Sequence, residues 1–474
     1  MSTWSRQSLS ILCILTACNS DNTSSPTGTL IPVCEVAGQI RGPAEIQLAD
    51  LPEHKSHGDY VTTFIVDRLS TVGDSIHFTR ITDAVNTVRA GRITRGELTS
   101  ALCRITIQVA PGTFTGAYGQ SSDATKETYP IVIDVPDVTL KGAMVMQVDA
   151  AGRATGVAQT GDITTFAANP VLLIDANLLS QPMIVVNGHP NGSSGSGAVI
   201  EGFLFQAGHV GADTTTGGQG VFTMRVTNVT VRGNRFEGGF TEVLDMRATS
   251  ALVEKNYLTG RGNTCDICLA GPGDYIARYN RLVGPGGIPG IVAVSATLIP
   301  VPAMVEQQVL PASSTVNVQI LNNEVRNHLA RPVGTGLRLG ALGIGAPGVI
   351  GKVKATITNN TLIGNTFGIL VEAAFPVANG SLHGDIEVET SNNTITGSCQ
   401  NIMLVSFSRH TTGLGLTNQP YLRNSTYQLN LGDDIPWDQV WYANPDGFGN
   451  HLYVQDAPIP FGTRHSYDAS RICT

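Results

Sequence analysis

Asn228-Val-Thr-Val-Arg-Gly-Asn-Arg-Phe236 reads as a strand of alternating apolar residues that halts at a Gly-Asn pair and resumes with another apolar residue. The pattern returns as Ala251-Leu-Val-Glu-Lys-Asn-Tyr-Leu258, Tyr275-Ile-Ala-Arg-Tyr-Asn-Arg-Leu282 and Val316-Asn-Val-Gln-Ile-Leu-Asn-Asn-Glu-Val325. Lys354-Ala-Thr-Ile-Thr-Asn-Asn-Thr-Leu362 and Ile386-Glu-Val-Glu-Thr-Ser-Asn-Asn-Thr-Ile395 continue it, and Ala198-Val-Ile-Glu-Gly-Phe-Leu-Phe205 precedes it. Asn234, Asn256 and Asn280 are 22 and 24 residues apart; Asn323, Asn360 and Asn393 follow at 43, 37 and 33. A short period with insertions of variable length marks a solenoid, whose turns bury their apolar faces only by stacking. The asparagines are expected to stack at a bend and hold the coil, taking the left-handed conformation a tight corner needs; Gly202 takes the equivalent place.

A chain of 474 residues exceeds one ordinary globular core, but a solenoid lengthens along one axis at fixed cross-section. Its 53 glycines lack the triplet period of collagen and suit a chain that bends several times per coil. The 29 Lys and Arg against 37 Asp and Glu leave a net charge of −8 and no basic concentration to neutralise phosphates. That argues against a nucleic-acid partner and leaves a sugar ligand open. A monomer is expected.

Arg6, the apolar run Leu9 to Leu15 and the small residues before Cys18 read as an export signal, too short to span a bilayer. Leu15-Thr-Ala-Cys18 resembles the lipobox of bacterial lipoproteins. That resemblance implies acylation of Cys18 and a lipid-anchored protein of the cell envelope, outside the cytoplasm. Residues 19–29 are a polar tether. In an exported chain the remaining cysteines permit disulfides, with Cys34–Cys103 and Cys399–Cys473 as candidate pairs. Cys265-Asp-Ile-Cys268 has the spacing of a redox or zinc half-site, but no second pair accompanies it, and a structural role fits better.

Phe78 to Ile93 carries Ile81, Ala84, Val85 and Val88 at helical spacing, followed by the strand Ile105-Thr-Ile-Gln-Val109 and Ala-Pro-Gly-Thr-Phe114. This section resembles the N-terminal cap and first coil of the pectate-lyase-like right-handed β-helix superfamily, and the later repeats resemble its coils. The resemblance implies an all-β, right-handed parallel β-helix with a helical N-terminal cap over 30–100, coils over 101–410 and an irregular C-terminal cap over 411–474. It fits extracytoplasmic surroundings and action on polysaccharide, most simply a uronate lyase. The alternative is a non-catalytic surface or glycan-binding β-helix. The superfamily hosts many chemistries, so the fold alone does not choose.

A second strand recurs, as Gly220-Val-Phe-Thr-Met-Arg225, Glu242-Val-Leu-Asp-Met-Arg247, Cys265-Asp-Ile-Cys-Leu-Ala270, Gly290-Ile-Val-Ala-Val-Ser295 and Thr335-Gly-Leu-Arg-Leu-Gly340. Alternation sends Phe222, Leu244, Ile267, Val292 and Leu337 inward, with Met224, Met246, Leu269, Val294 and Leu339 two positions on. Arg225, Asp245, Arg247, Asp266 and Arg338 then point outward. Asp245 and Asp266 on adjacent coils are candidate acid and base or cation ligands, since neighbouring carboxylates split their pKa values. Arg247 and Arg225 would hold a substrate carboxylate, with Arg338 at the far end of the groove. Related lyases use calcium held by carboxylates in such a groove, although the Asp-rich cluster is not evident here. Paired surface charges would leave the same pattern without catalysis. His189 and His209, in Gly-rich loops ahead of this file, are candidate substrate-binding or base residues.

Overall fold

The computed structural model describes most of residues 63–405 and the short strands Cys34–Val36, Gln39–Arg41, Thr426–Asn430, Val440–Ala443, His451–Val454 and Ala457–Ile459. Outside the described residues lie 1–33, 37–38, 42–62 and, within the coils, 71–75, 119–125, 159–169, 175–181, 189–193, 208–217, 285–288, 296–312, 330–333, 342–349 and 373–382, with a few single positions and most of 406–474. Cys18, His189, His209, Cys399 and Cys473 fall among them.

The chain winds as a right-handed parallel β-helix of three sheets. Sheet I has 14 strands, and sheets II and III have 10 each. One coil runs from Ser250–Glu254 in sheet I to Tyr257–Leu258 in sheet II and Arg261–Ala270 in sheet III; the next begins at Gly273–Arg278. Each strand pairs in parallel with its counterpart one coil on, as Val253 does with Ala277 and Leu244 with Ile267. The core is therefore a set of stacked files, among them Val231, Val253, Ala277, Ile320 and Ile357 from sheet I, each at most 0% exposed. Phe205 and Phe236 continue the stacking in sheet II, with rings 4.5 Å apart and nearly parallel.

The bend from sheet I to sheet II is held by the predicted asparagine ladder. The backbone N–H of Asn256 donates to Asn280 Oδ1 at 3.0 Å, and its side-chain amide donates to Val231 O at 2.9 Å and to Asn280 Oδ1 at 3.1 Å. Asn234, Asn280, Asn323 and Asn360 repeat this arrangement. One detail differs from the sequence reading: the left-handed residue stands immediately before each ladder asparagine. Gly233, Lys255, Tyr279, Asn322, Asn359 and Asn392 have φ between 54° and 62°. Gly202, at φ 79°, is equivalent to these, and Phe203 takes the ladder position, donating its N–H to Asn234 Oδ1 at 3.0 Å.

The helix Ile81–Arg95 buries Ile81, Ala84, Val85 and Val88 and ends at Gly96 in the left-handed region. Its first N–H groups are satisfied from a distant strand: Glu127 accepts from Ile81 N at 2.7 Å and from Thr82 N and Oγ1 at 3.0 and 2.7 Å. The stacking extends past both expected boundaries. Thr63–Val66 pairs in parallel with Ile105–Val109 ahead of residue 101, and Thr426–Asn430, Val440–Ala443 and His451–Val454 continue sheets I and III beyond residue 410. An antiparallel hairpin, Met146–Val148 with Ala154–Ala158, lies against sheet II, where Arg153 pairs with Glu324 and Arg235 donates to Gly156 O.

Candidate functional site

Sheet III carries the candidate residues, and its register corrects their arrangement. Val221, Leu244, Ile267, Ile291 and Leu337 form one inward file, so Phe222, Asp245, Cys268, Val292 and Arg338 form the outward one. Met224, Arg247, Ala270 and Val294 make a second outward file. Phe222, Met224, Val292 and Val294 thus face out, contrary to the expectation from alternation. Val-Phe-Thr-Met and Ile-Val-Ala-Val are apolar on both faces, and such a pattern does not say which face is inside. The outward side is nonetheless buried: Phe222 and Met224 pack with Val185, and Cys268 with Cys265 and Val292.

Asp245, Arg247 and Arg338 do point outward. Asp266 does not stand beside Asp245. With Leu244 level with Ile267, it is Cys268 that stands opposite Asp245. Asp266, 2% exposed, instead bonds to the imidazole Nε2 of His328 at 2.9 Å. His328 comes from the turn two coils on, and its N–H donates to Asn365 Oδ1 at 3.0 Å. Gly284 and Gly290 of the intervening coil make room for the ring, since a Cβ at either would come within 3.0 or 3.4 Å of it. Arg225 is displaced as well. Met224 is the partner of Arg247, and Arg225 lies in the following turn at φ 58°.

What the fold assembles around Asp245 is a different group. Arg247 donates through Nε to Asp245 Oδ1 at 3.1 Å and pairs through its terminal nitrogen with Oδ2 at 2.8 Å. Its guanidinium sits 5.1 Å from the Phe222 ring centre. Gln219, from the preceding coil, donates through Nε2 to Asp245 Oδ2 at 3.1 Å and to Glu242 Oε2 at 2.8 Å. Glu242 and Asp245 are 0% exposed, Arg247 3% and Gln219 5%. Burial, and after it the charge of Asp245, pushes the Glu242 carboxyl up to about 9, so it carries a proton at neutral pH. Cys265 and Cys268, joined as a disulfide with Cα atoms 5.7 Å apart, pair in register with Glu242 and Asp245. Cys103 is likewise disulfide-bonded.

Glu242 and Gln219 were not singled out by the sequence reading. Positions 242 and 245 fall on opposite faces of a regular strand, yet here Val243 and Leu244 between them are both core residues and both carboxylates reach Gln219. The available signal was a glutamate inside an otherwise apolar run, Val-Leu at 243–244, three residues from a second carboxylate.

Calcium does not fit this pair. Both Asp245 oxygens are engaged by Arg247 and Gln219, and Glu242 is protonated, whereas calcium requires six to eight oxygen ligands with ionised carboxylates among them. Among the described residues no group of three or more His, Cys, Asp or Glu is placed to hold a metal ion.

No family model and no curated protein matches the chain. Among solved structures, an endo-xylogalacturonan hydrolase from Aspergillus tubingensis aligns over 85% of this chain and 94% of its own, at 12% identity and a TM-score of 0.42. DFA-IIIase from Arthrobacter chlorophenolicus A6, in complex with GF2, aligns over 86% and 97% at 12% identity and a TM-score of 0.44. At this identity and TM-score the similarity bears on neither substrate nor mechanism.

Proposed function

We propose that this β-helix protein cleaves glycosidic bonds in a polysaccharide by acid–base catalysis, with Glu242 as the acid and Asp245 as its carboxylate partner. One observation carries the reading. A carboxyl held protonated and a carboxylate held against an arginine sit side by side, bridged by the Gln219 amide. Glycoside hydrolysis divides its labour in this way. Glu242 gives its proton to the leaving oxygen as the glycosidic C–O bond breaks, water adds at the anomeric carbon, and the proton that water releases returns to the carboxyl pair.

β-Elimination, the lyase route, needs an unprotonated base in the outward file. Glu242 holds its proton, and the Asp245 carboxylate is committed to Arg247 and Gln219, so hydrolysis fits these groups better. Polysaccharide as substrate class rests on the resemblance of the repeats to pectate-lyase-like coils. On the sequence motif alone, we assign export and lipid attachment to Cys18.

The test incubates the purified protein with a panel of neutral and uronate polysaccharides and follows reducing ends and unsaturated products separately. Glu242→Gln should lower the release of reducing ends by about 10²- to 10⁴-fold. Unsaturated products, or turnover unaffected by Glu242→Gln, would overturn the assignment. The complete burial of the carboxyl pair favours a second reading, a non-catalytic glycan-binding β-helix in which the pair is structural. Binding without any turnover would select it.

A further inference from the structure

The outer face of sheet I holds a cleft of about 810 Å³ that crosses six successive strands, from Val229–Arg232 to His383–Ser391. It lies on a different face of the solenoid from Glu242 and Asp245. Its volume falls within the range of roughly 300–1,000 Å³ typical of ligand sites. At about 4.8 Å per coil, five steps give it a length of about 24 Å along the solenoid axis. That shape takes a linear polymer crossing the strands and offers it a similar pair of side chains at every coil.

Three features select the ligand. Leu252 and Ile276, partners in register and half-buried, form an aliphatic floor. Beside and beyond them stand short hydrogen-bonding groups: Ser250, Asn317, Gln319 and Thr356, with Asn317 and Gln319 exposed. Asn317 Nδ2 donates to Asp274 Oδ1 at 2.8 Å, which fixes the amide by its donor end. Apolar floor and hydroxyl-seeking edge together match a sugar ring, which presents C–H faces and O–H rims.

The charges narrow the choice further. Asp274, Glu387 and Glu389 outnumber Lys354, and Lys354 is paired with Glu387 at 2.9 Å. This net negative lining repels phosphates and uronates. With two aliphatic side chains among its outward groups and no aromatic, it also lacks the apolar core of a protein interface. We propose that the outer face of sheet I binds a linear, uncharged polysaccharide lying along the solenoid axis.

Affinity electrophoresis of the full chain in gels containing a neutral β-glucan, a xylan, a fructan or polygalacturonate tests this directly. At least one neutral glycan should retard the protein, and any retardation by polygalacturonate should not depend on this cleft. The Asn317→Ala/Gln319→Ala double variant should weaken that retardation about tenfold, as expected for the loss of two hydrogen bonds. Thr356→Trp, which places an indole in the cleft from an outward position, gives an independent measurement should the double variant not fold. Retardation is read without turnover and on Glu242→Gln protein as well, so the outcome is separate from that of the hydrolase reading. Failure of every neutral glycan to retard the protein would overturn the proposal. So would retardation unchanged in both variants, or polygalacturonate retardation that the cleft variants weaken as much as that of the neutral chains.

Discussion

Glu242 and Asp245 accept hydrogen bonds from a single nitrogen, Gln219 Nε2, at 2.8 and 3.1 Å. One amide thus fixes both members of an acid–carboxylate pair, and only one of the two has its charge offset by an arginine. For the proposed hydrolysis, Glu242 must be protonated. Activity is expected to hold through neutral pH and to fall as pH rises through about 9, and a pH–rate profile of kcat checks it.

The same proton makes stability depend on pH. Glu242 titrates near its usual 4.5 when unfolded and near 9 when folded, so between these values the folded chain binds the extra proton. The contribution of this group to stability is therefore fully present below about 4.5 and is lost as pH rises toward 9. In Glu242→Gln this contribution should vanish, leaving the variant more stable than the native chain at pH 9. Urea unfolding at a series of pH values measures the difference.

Arg247→Ala should be among the most damaging substitutions in sheet III. It strips Asp245 of its ion pair while leaving the carboxylate 0% exposed, a loss of about 3–5 kcal/mol. Asp245→Asn combined with Arg247→Ala should recover part of that loss, because the unpaired charge is then absent. A double-mutant cycle by denaturant unfolding reads the coupling.

Asn323→Ala removes an amide that donates to Ala277 O at 2.8 Å and to Asn360 Oδ1 at 3.1 Å, and an oxygen that accepts from Asn280 N and Nδ2 at 3.0 Å. Several buried groups lose their partners together, so a destabilisation of about 3 kcal/mol is expected. Amide hydrogen exchange should show faster opening in the coils on either side of residue 323, consistent with nearest-neighbour stacking.

The ladder was legible because one residue type performs one task at every coil, and Asn234 to Asn393 leave that repetition in the sequence. The inward files of Leu244 and Ile267 were legible for the same reason. Phe222 and Val292 were misread where both faces of a strand are apolar and alternation loses its meaning. Asp266 was misplaced although its file was read correctly: with Leu244 level with Ile267, the residue opposite Asp245 is Cys268, two positions beyond Asp266. Nothing in the local sequence announces the partners of the two carboxylates, Gln219 and His328, which lie 26 and 62 residues away.

Cys18→Ala tests the anchoring assignment. The native protein should fractionate with membranes and the variant should appear in the soluble exported fraction. Fractionation identical for the two proteins would remove lipid attachment from the account.

Successive ladder asparagines are separated by 22, 24, 43, 37 and 33 residues, yet their amide contacts stay between 2.9 and 3.3 Å. All variation in coil length is absorbed elsewhere on the circumference. The corner between sheets I and II consequently acts as a fixed datum against which the rest of each turn can be lengthened or shortened. A foreign peptide grafted between Val294 and Ser313 should leave the stack intact, whereas one residue inserted between Glu254 and Asn256 should break it.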